Sequence, residues 1–269
     1  VIAAYSGWWF YTAGAISTAL SSWITSEQSK GVKISPAAIS VGGYPFAFQI
    51  KVQNLTLSWP SGFGFTSQSL KVRSHPWAIR SFKVNATGGF AFNLPHGDTR
   101  PALTVAGETL KGHAGFYDNA VPTSLDLTAD TVSASRTDFE GDAGRELTIA
   151  TLIIQGTRPT TPPAADTDTA YDLSLQALDF GAPFLESNPL GSTIKKTAFH
   201  VQLLGIPPAT ADGAGLKAWR DAGGTINASD LSMDWGELSL SGNGTLALDA
   251  DMQPEGAFSV QIAGFEQAL

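Results

Sequence analysis

Period-two alternation of apolar and polar residues dominates the chain from Gly42 onward. Phe46, Phe48, Ile50 and Val52 fall on one side and Ala47, Gln49, Lys51 and Gln53 on the other, the pattern of an antiparallel strand with one wet face. The phase slips at Asn54, after which Leu55, Leu57 and Trp59 carry the apolar positions on odd numbers. A bulge or break is predicted there, because a one-residue slip otherwise turns the apolar set toward water. Shorter runs follow at Leu70 and Val72, Trp77 and Ile79, Phe82 and Val84, and Phe90, Phe92 and Leu94. Leu125 and Leu127 continue them, as do Leu147 and Ile149, which shift phase to Leu152 and Ile154. Recurrence at roughly 8–12 residues, with Gly, Asn, Asp and Pro in between, predicts an antiparallel meander. A parallel α/β fold is disfavoured, since no helical pattern alternates with these strands.

Residues 157–170, TRPTTPPAADTDTA, hold three prolines and no large apolar side chain, and so read as a surface loop. Tyr171, Leu173 and Leu175 restart the strands, and Thr197, Phe199, Val201 and Leu203 extend them to the stop at Gly205-Ile206-Pro207-Pro208. Asp212 to Gly223 predicts one internal helix, capped by Asp212, with Leu216 and Trp219 as an i,i+3 apolar pair and Gly223-Gly224 ending it. Beyond it lie Leu231, Met233 and Trp235, then Leu238 and Leu240, then Leu246 and Leu248, then Phe258, Val260 and Ile262. They predict four strands, split by Gly236, by residues 241–244 and by residues 249–256. The expected organisation is an N-terminal helix over residues 1–30, a first β half over 31–156, the Pro-rich loop over 157–170 and a second β half over 171–269. The two halves are expected to form one continuous domain.

Within residues 1–30, Trp9, Ala13, Ile16, Leu20, Trp23 and Ile24 draw an apolar stripe down one side of a helix. No charge precedes Glu27, and Tyr5, Trp8, Trp9, Phe10 and Tyr11 are rings of the kind that the headgroup zone of a bilayer selects. Diluted by Ser, Thr and Gly, the stretch makes a poor spanning helix. The expectation is a juxtamembrane helix whose anchor lay upstream and was trimmed. A helix packed on a soluble core, or a start left by signal-peptide cleavage, fits the same residues.

Sixteen Lys plus Arg against 24 Asp plus Glu give a net charge of −8, which argues against nucleic acid as a partner. Cys is absent, so disulfides, thiol catalysis and Cys-ligated zinc are excluded. The four histidines, His75, His96, His113 and His200, show no i,i+3 or i,i+4 pairing, so a metal site would need distant segments. No G-x-S-x-G elbow, P-loop or dinucleotide fingerprint occurs. Asp138, Glu140, Asp142 and Glu146 lack EF-hand spacing, and they read as a solvated turn, as do Asp166, Asp168 and Asp172, and Asp249 and Asp251. No catalytic residue, cofactor or metal is assigned. The abundant feature is apolar strand surface, with 15 Phe and 7 Trp. In a closed sandwich these residues fill a core; in a curved, partly open sheet they line a groove that shields an acyl chain. Phe46, Phe48, Ile50, Leu57, Trp59, Phe90 and Phe92 are the candidate wall or core positions.

The helix GWWFYTAGAISTALSSWI, followed by Gly42-Gly43-Tyr44-Pro45-Phe46-Ala47-Phe48, resembles the start of a bacterial domain-of-unknown-function family, number twenty-one twenty-five. Its C-terminal signature is similar to Leu231-Ser-Met-Asp-Trp-Gly-Glu-Leu, then Gly242-Asn-Gly-Thr-Leu-Ala-Leu-Asp, then Pro254-Glu-Gly-Ala-Phe. That family is found largely in alphaproteobacteria and is grouped with the AsmA-like envelope proteins. The resemblance implies an inner-membrane anchor with the β domain in the periplasm. It also implies a lipid or other long apolar ligand as partner, since the wider group builds β-sheet grooves implicated in moving lipids. An envelope assembly scaffold with a protein partner is the second expectation, and an uncharacterised hydrolase the third.

Overall fold

The computed structural model of the chain describes residues 1–95, 101–117, 122–136, 146–186, 188–207 and 213–264, with 101 and 102 by backbone alone. His96, Asp138, Glu140, Asp142 and the candidate cap Asp212 lie outside the described residues. Two helices flank or interrupt a run of strands: α1 is Ile2–Ser29 and α2 is Gly213–Asp221. The strands are β1 Lys33–Ser35, β2 Ala38–Gly42, β3 Phe48–Ser58, β4 Gly64–His75, β5 Ala78–Pro95, β6 Pro101–Phe116 and β7 Pro122–Arg136. They continue as β8 Leu147–Thr157, β9 Thr169–Gly181, β10 Thr193–Leu204, β11 Thr225–Trp235, β12 Leu238–Leu248 and β13 Pro254–Ala263. From β3 on, each strand pairs with the next in a 13-stranded meander that does not close, and β1 and β2 share the free edge of β3. The chain divides into two compact units: Val1–Asp118 with Thr128–Thr148, and Asn119–Leu127 with Ile149–Leu269.

In the first unit the stripe on α1 turns Trp9 and Ala13 into the protein and half-buries Ile16, Leu20 and Ile24, while Trp23 faces outward. Trp9 stacks on Phe48, ring centres 5.4 Å apart, and its indole N–H donates to the Ala47 carbonyl at 3.2 Å. Further along the helix, Ile24 packs against Val32, Ile34, Val52 and Leu55. The helix thus lies on the apolar side of β3, and residues on that side are the unit's core.

The phase slip at Asn54 is real and is shared by its neighbours. Asn54 takes a positive φ of 48°. Beside it the edge strand breaks between β1 and β2 at Pro36, which has no amide proton to give a ladder. On β5 the extra residue is supplied by Gly88 and Gly89, both at positive φ, and the register shifts against β4 and β6. Thr131 on β7 also takes a positive φ, of 53°. The buried positions accordingly step by three, from Val52 to Leu55 on β3 and from Ala129 to Val132 on β7. A transverse crease therefore crosses the sheet and keeps the apolar side chains on one face despite the odd step.

Several expected breaks are not breaks. Residues 78–95 form one 18-residue strand through Gly88-Gly89. Residues 241–244 sit inside β12, so the four strands expected after α2 are three. The cause is close approach rather than turning: a Cβ at Gly244 would meet the Phe258 ring at 2.3 Å. Of the α2 pair, Trp219 is buried and Leu216 stays exposed. The Pro-rich loop is shorter than its sequence range, since Thr157 ends β8 and Thr169 and the fully buried Ala170 begin β9.

Many strand positions keep part of their surface in water, and β13 is exposed at all ten of its positions.

Candidate functional site

The margin of α1 is where the covered and uncovered strands of the first unit meet. There, Thr12 and Ile16 on α1, Phe48 and Ile50 on β3, Val72 and Ser74 on β4, and Ile79 and Phe82 on β5 enclose a cavity of about 320 Å³. Strand pairing sets its floor: Ile50 lies opposite Val72, which lies opposite Val84, and Phe48 lies opposite Ser74. Two of the lining residues are polar, and both are spent. The Thr12 hydroxyl donates to the Trp8 carbonyl at 2.9 Å, and the Ser74 hydroxyl to the Ala78 carbonyl at 3.0 Å. The site therefore offers hydrocarbon and ring edges, with no free donor to fix a polar ligand. Its volume is at the lower end of small-molecule sites.

Of the seven candidate positions read from the sequence, Phe48 and Ile50 line this cavity. Phe46 does not, because the strand begins only at Phe48; it stands 65% exposed in the preceding turn, its carbonyl accepting from the His75 ring at 2.8 Å. Leu57 and Trp59 lie across the crease, beside the cluster of Val32, Ile34 and Leu55. Phe90 is buried over Gly107, where a Cβ would meet its ring at 2.7 Å. Phe92 joins it in a ring cluster with Phe65 and Phe63. The sequence reading missed Thr12, Ile16, Val72, Ser74, Ile79 and Phe82 as lining residues; the signal for Val72 and Phe82 was their alternation with Leu70 and Val84.

The second unit has a smaller apolar recess of about 180 Å³ lined by Leu125, Gly156, Tyr171 and Leu173 among others, with the Arg158 guanidinium over the Tyr171 ring. Its polar face carries a linked trio. The His200 ring contacts the Asp172 carboxylate at 2.7 Å through Nε2 and the Ser229 hydroxyl at 2.9 Å through Nδ1. Asp172, expected in a solvated turn, thus sits inside β9, and Gln202 donates to its second oxygen at 3.0 Å. Ser229 is the extra residue where β11 shifts register against β10. His200 and Asp172 keep about a third of their side-chain surface in water, so the trio lies on an open strand face rather than in a water-excluding site. Asp168 and Asp249 do behave as turn residues. The Asp168 carboxylate accepts from the amides of Ala164 and Ala165, which hold its pKa below the ordinary value, and Asp249 accepts from those of Asp251 and Gln253. Among the described residues no three His, Asp or Glu side chains gather as a metal site would require. Nor is any described helix long and apolar enough to cross a membrane.

Fold and site together define an open antiparallel β protein with a helix-walled apolar groove. The chain belongs to the family of uncharacterised proteins conserved in bacteria, DUF2125, which matches residues 9–269. Comparison with curated proteins and with solved structures finds no match.

Proposed function

We propose that this protein binds the acyl chain of a lipid, or another long apolar molecule, in the groove between α1 and β3–β5. The proposed setting is the periplasmic side of a bacterial inner membrane, with α1 next to the bilayer. One observation carries the reading: the groove is hydrocarbon on every side, and its two hydroxyls are already bonded to backbone carbonyls. Water gains little in such a site, whereas an alkyl chain gains about 25 cal/mol for each Å² of apolar surface it hides. The compartment and the ligand class are those that the AsmA-like grouping expected from the sequence motifs implies.

The test is native mass spectrometry of protein prepared without detergent, together with titration of a fluorescent fatty acid. Wild type should carry acyl chains and bind the probe. Val72→Phe, which pushes a ring up from the floor of the groove, should lose both while keeping the melting transition. Wild type free of acyl chains and blind to the probe would end the proposal. A Phe48→Asp variant is a poor substitute, because Phe48 also supports Trp9.

The Ser229–His200–Asp172 trio favours a second reading, a serine hydrolase. Labelling of Ser229 by a fluorophosphonate, abolished in His200→Ala, would establish it; absence of labelling removes it.

A further inference from the structure

One end of the first unit gathers rings that face water. Phe10 and Tyr11 on α1 are 61% and 79% exposed, Phe46 is 65% and Trp77 is 70%. They come from three segments tied together. Tyr44 stacks on Phe10 with ring centres 5.3 Å apart, and the Ser6 and Tyr44 hydroxyls are 2.7 Å apart. The His75 ring donates to the Phe46 carbonyl and stacks on Trp77, which links the β4–β5 turn to the turn before β3. Ile79, just past Trp77, lines the groove, so this end is also where the groove reaches the surface.

A second, independent feature adjoins these rings. Between Glu27 and Asp98 the sequence has seven cations and no carboxylate, in a chain of net charge −8. The ladder sets several of them side by side on the face opposite the groove. Arg73 is the direct partner of Lys83 and Lys71 that of Lys51, two and four residues along β4 from the aromatic turn at His75–Ala78. Like charges directly opposite each other destabilise a sheet. Among the described residues, none of these four has a carboxylate at ion-pair distance. The sheet tolerates the repulsion where an anionic surface would relieve it.

We infer that this end of the first unit docks on the surface of an anionic lipid bilayer, with the exposed rings in the headgroup zone and the Lys51, Lys71, Arg73 and Lys83 ladder against lipid phosphates. Trp and Tyr favour that zone because they bury a ring and hydrate its polar tip, and juxtamembrane cations are drawn to acidic leaflets. Docked so, the groove opens toward lipid at Ile79. The inference rests on the lipid-binding reading for its purpose, but it is tested separately.

The full chain is floated with vesicles of phosphatidylglycerol and phosphatidylethanolamine, and with vesicles of phosphatidylcholine alone. Wild type should bind the anionic vesicles at least tenfold more tightly, and should release as salt rises. Lys71→Gln/Arg73→Gln/Lys83→Gln should weaken binding by about a hundredfold, given about 1 kcal/mol per cation and 1.4 kcal/mol per tenfold change. Phe46→Ser/Trp77→Ser should weaken it with an unchanged circular dichroism spectrum, since both side chains face solvent. Brominated lipid should quench Trp77, read as the difference between wild type and Trp77→Leu. Equal binding to both vesicle types, or a triple variant that binds like wild type, overturns the inference. So does an RNA oligonucleotide that binds the ladder more tightly than the vesicles do. Protein that carries acyl chains yet binds no vesicle loses the docking surface and keeps the groove; vesicle binding without acyl chains does the reverse.

Discussion

The two units solve the same problem differently. Both are runs of antiparallel strands with one greasy face, but the first has a helix of 28 residues lying on it and the second has one of nine. In the first, large side chains disappear from water: Trp9, Val32, Ile34, Phe48, Val52, Leu55 and Phe90. Among the described residues of the second, the buried apolar set is Leu185, Trp219 and four alanines. There α2 acts as a pin. Its Trp219 indole donates to the Leu204 carbonyl at 2.9 Å, and Arg220 reaches the carbonyls of Asp249 and Ala250. The last strand, β13, is exposed at all ten positions. The difference teaches that an open sheet forms a binding groove at the edge of whatever covers it: full cover would leave a core, and no cover leaves a wet face.

The comparison is broken most severely by Trp9→Ala. It removes the stack on Phe48 and the bond to Ala47, and should cost the first unit about 3–5 kcal/mol. Amide exchange during urea unfolding should show the loss there, with the second unit unchanged; equal losses in both would mean that they unfold as one. Next comes Gly224→Ala, whose new methyl would sit 2.2 Å from the Trp219 ring and should cost the second unit about 1–3 kcal/mol. A matched pair sharpens the contrast. Val52→Thr puts a hydroxyl into the covered core of the first unit and should cost about 1–3 kcal/mol, read from denaturant unfolding, whereas Val260→Thr on β13 should stay within about 0.5 kcal/mol.

The smallest effect concerns Asp168, whose folded pKa lies below 3.8 because two amides hold the charged carboxylate. A lowered folded pKa favours the charged, folded loop above 3.8, and that support is lost as pH falls through the lower value. The amide shifts of Ala164 and Ala165 should follow that acid titration, and Asp168→Asn should flatten it.

The alternation made the strands of β3 and the Asn54 slip legible, because side-chain parity is a local property. Glycines misled for a physical reason. Gly88-Gly89 and Gly244 look like turn residues, yet they serve a bulge and a crossing ring, and only the neighbouring strand reveals which. The same dilution hid β6, where Gly107, Gly112 and Gly115 interrupt the apolar run. The groove was half legible. Phe48 and Ile50 follow from alternation, but Thr12, Val72, Ser74 and Phe82 join them only through pairing between strands and the seat of α1, which spacing along the chain does not encode.

The crease also dictates how this protein can be recombined with its relatives. Since the offsets at Asn54 and at Gly88-Gly89 are matched across the paired strands, a chimaera that imports β3, β4 or β5 singly inherits an inside-out strand unless the donor carries the matching offset. Crossover points outside the block from Lys33 to Arg136 spare that bookkeeping.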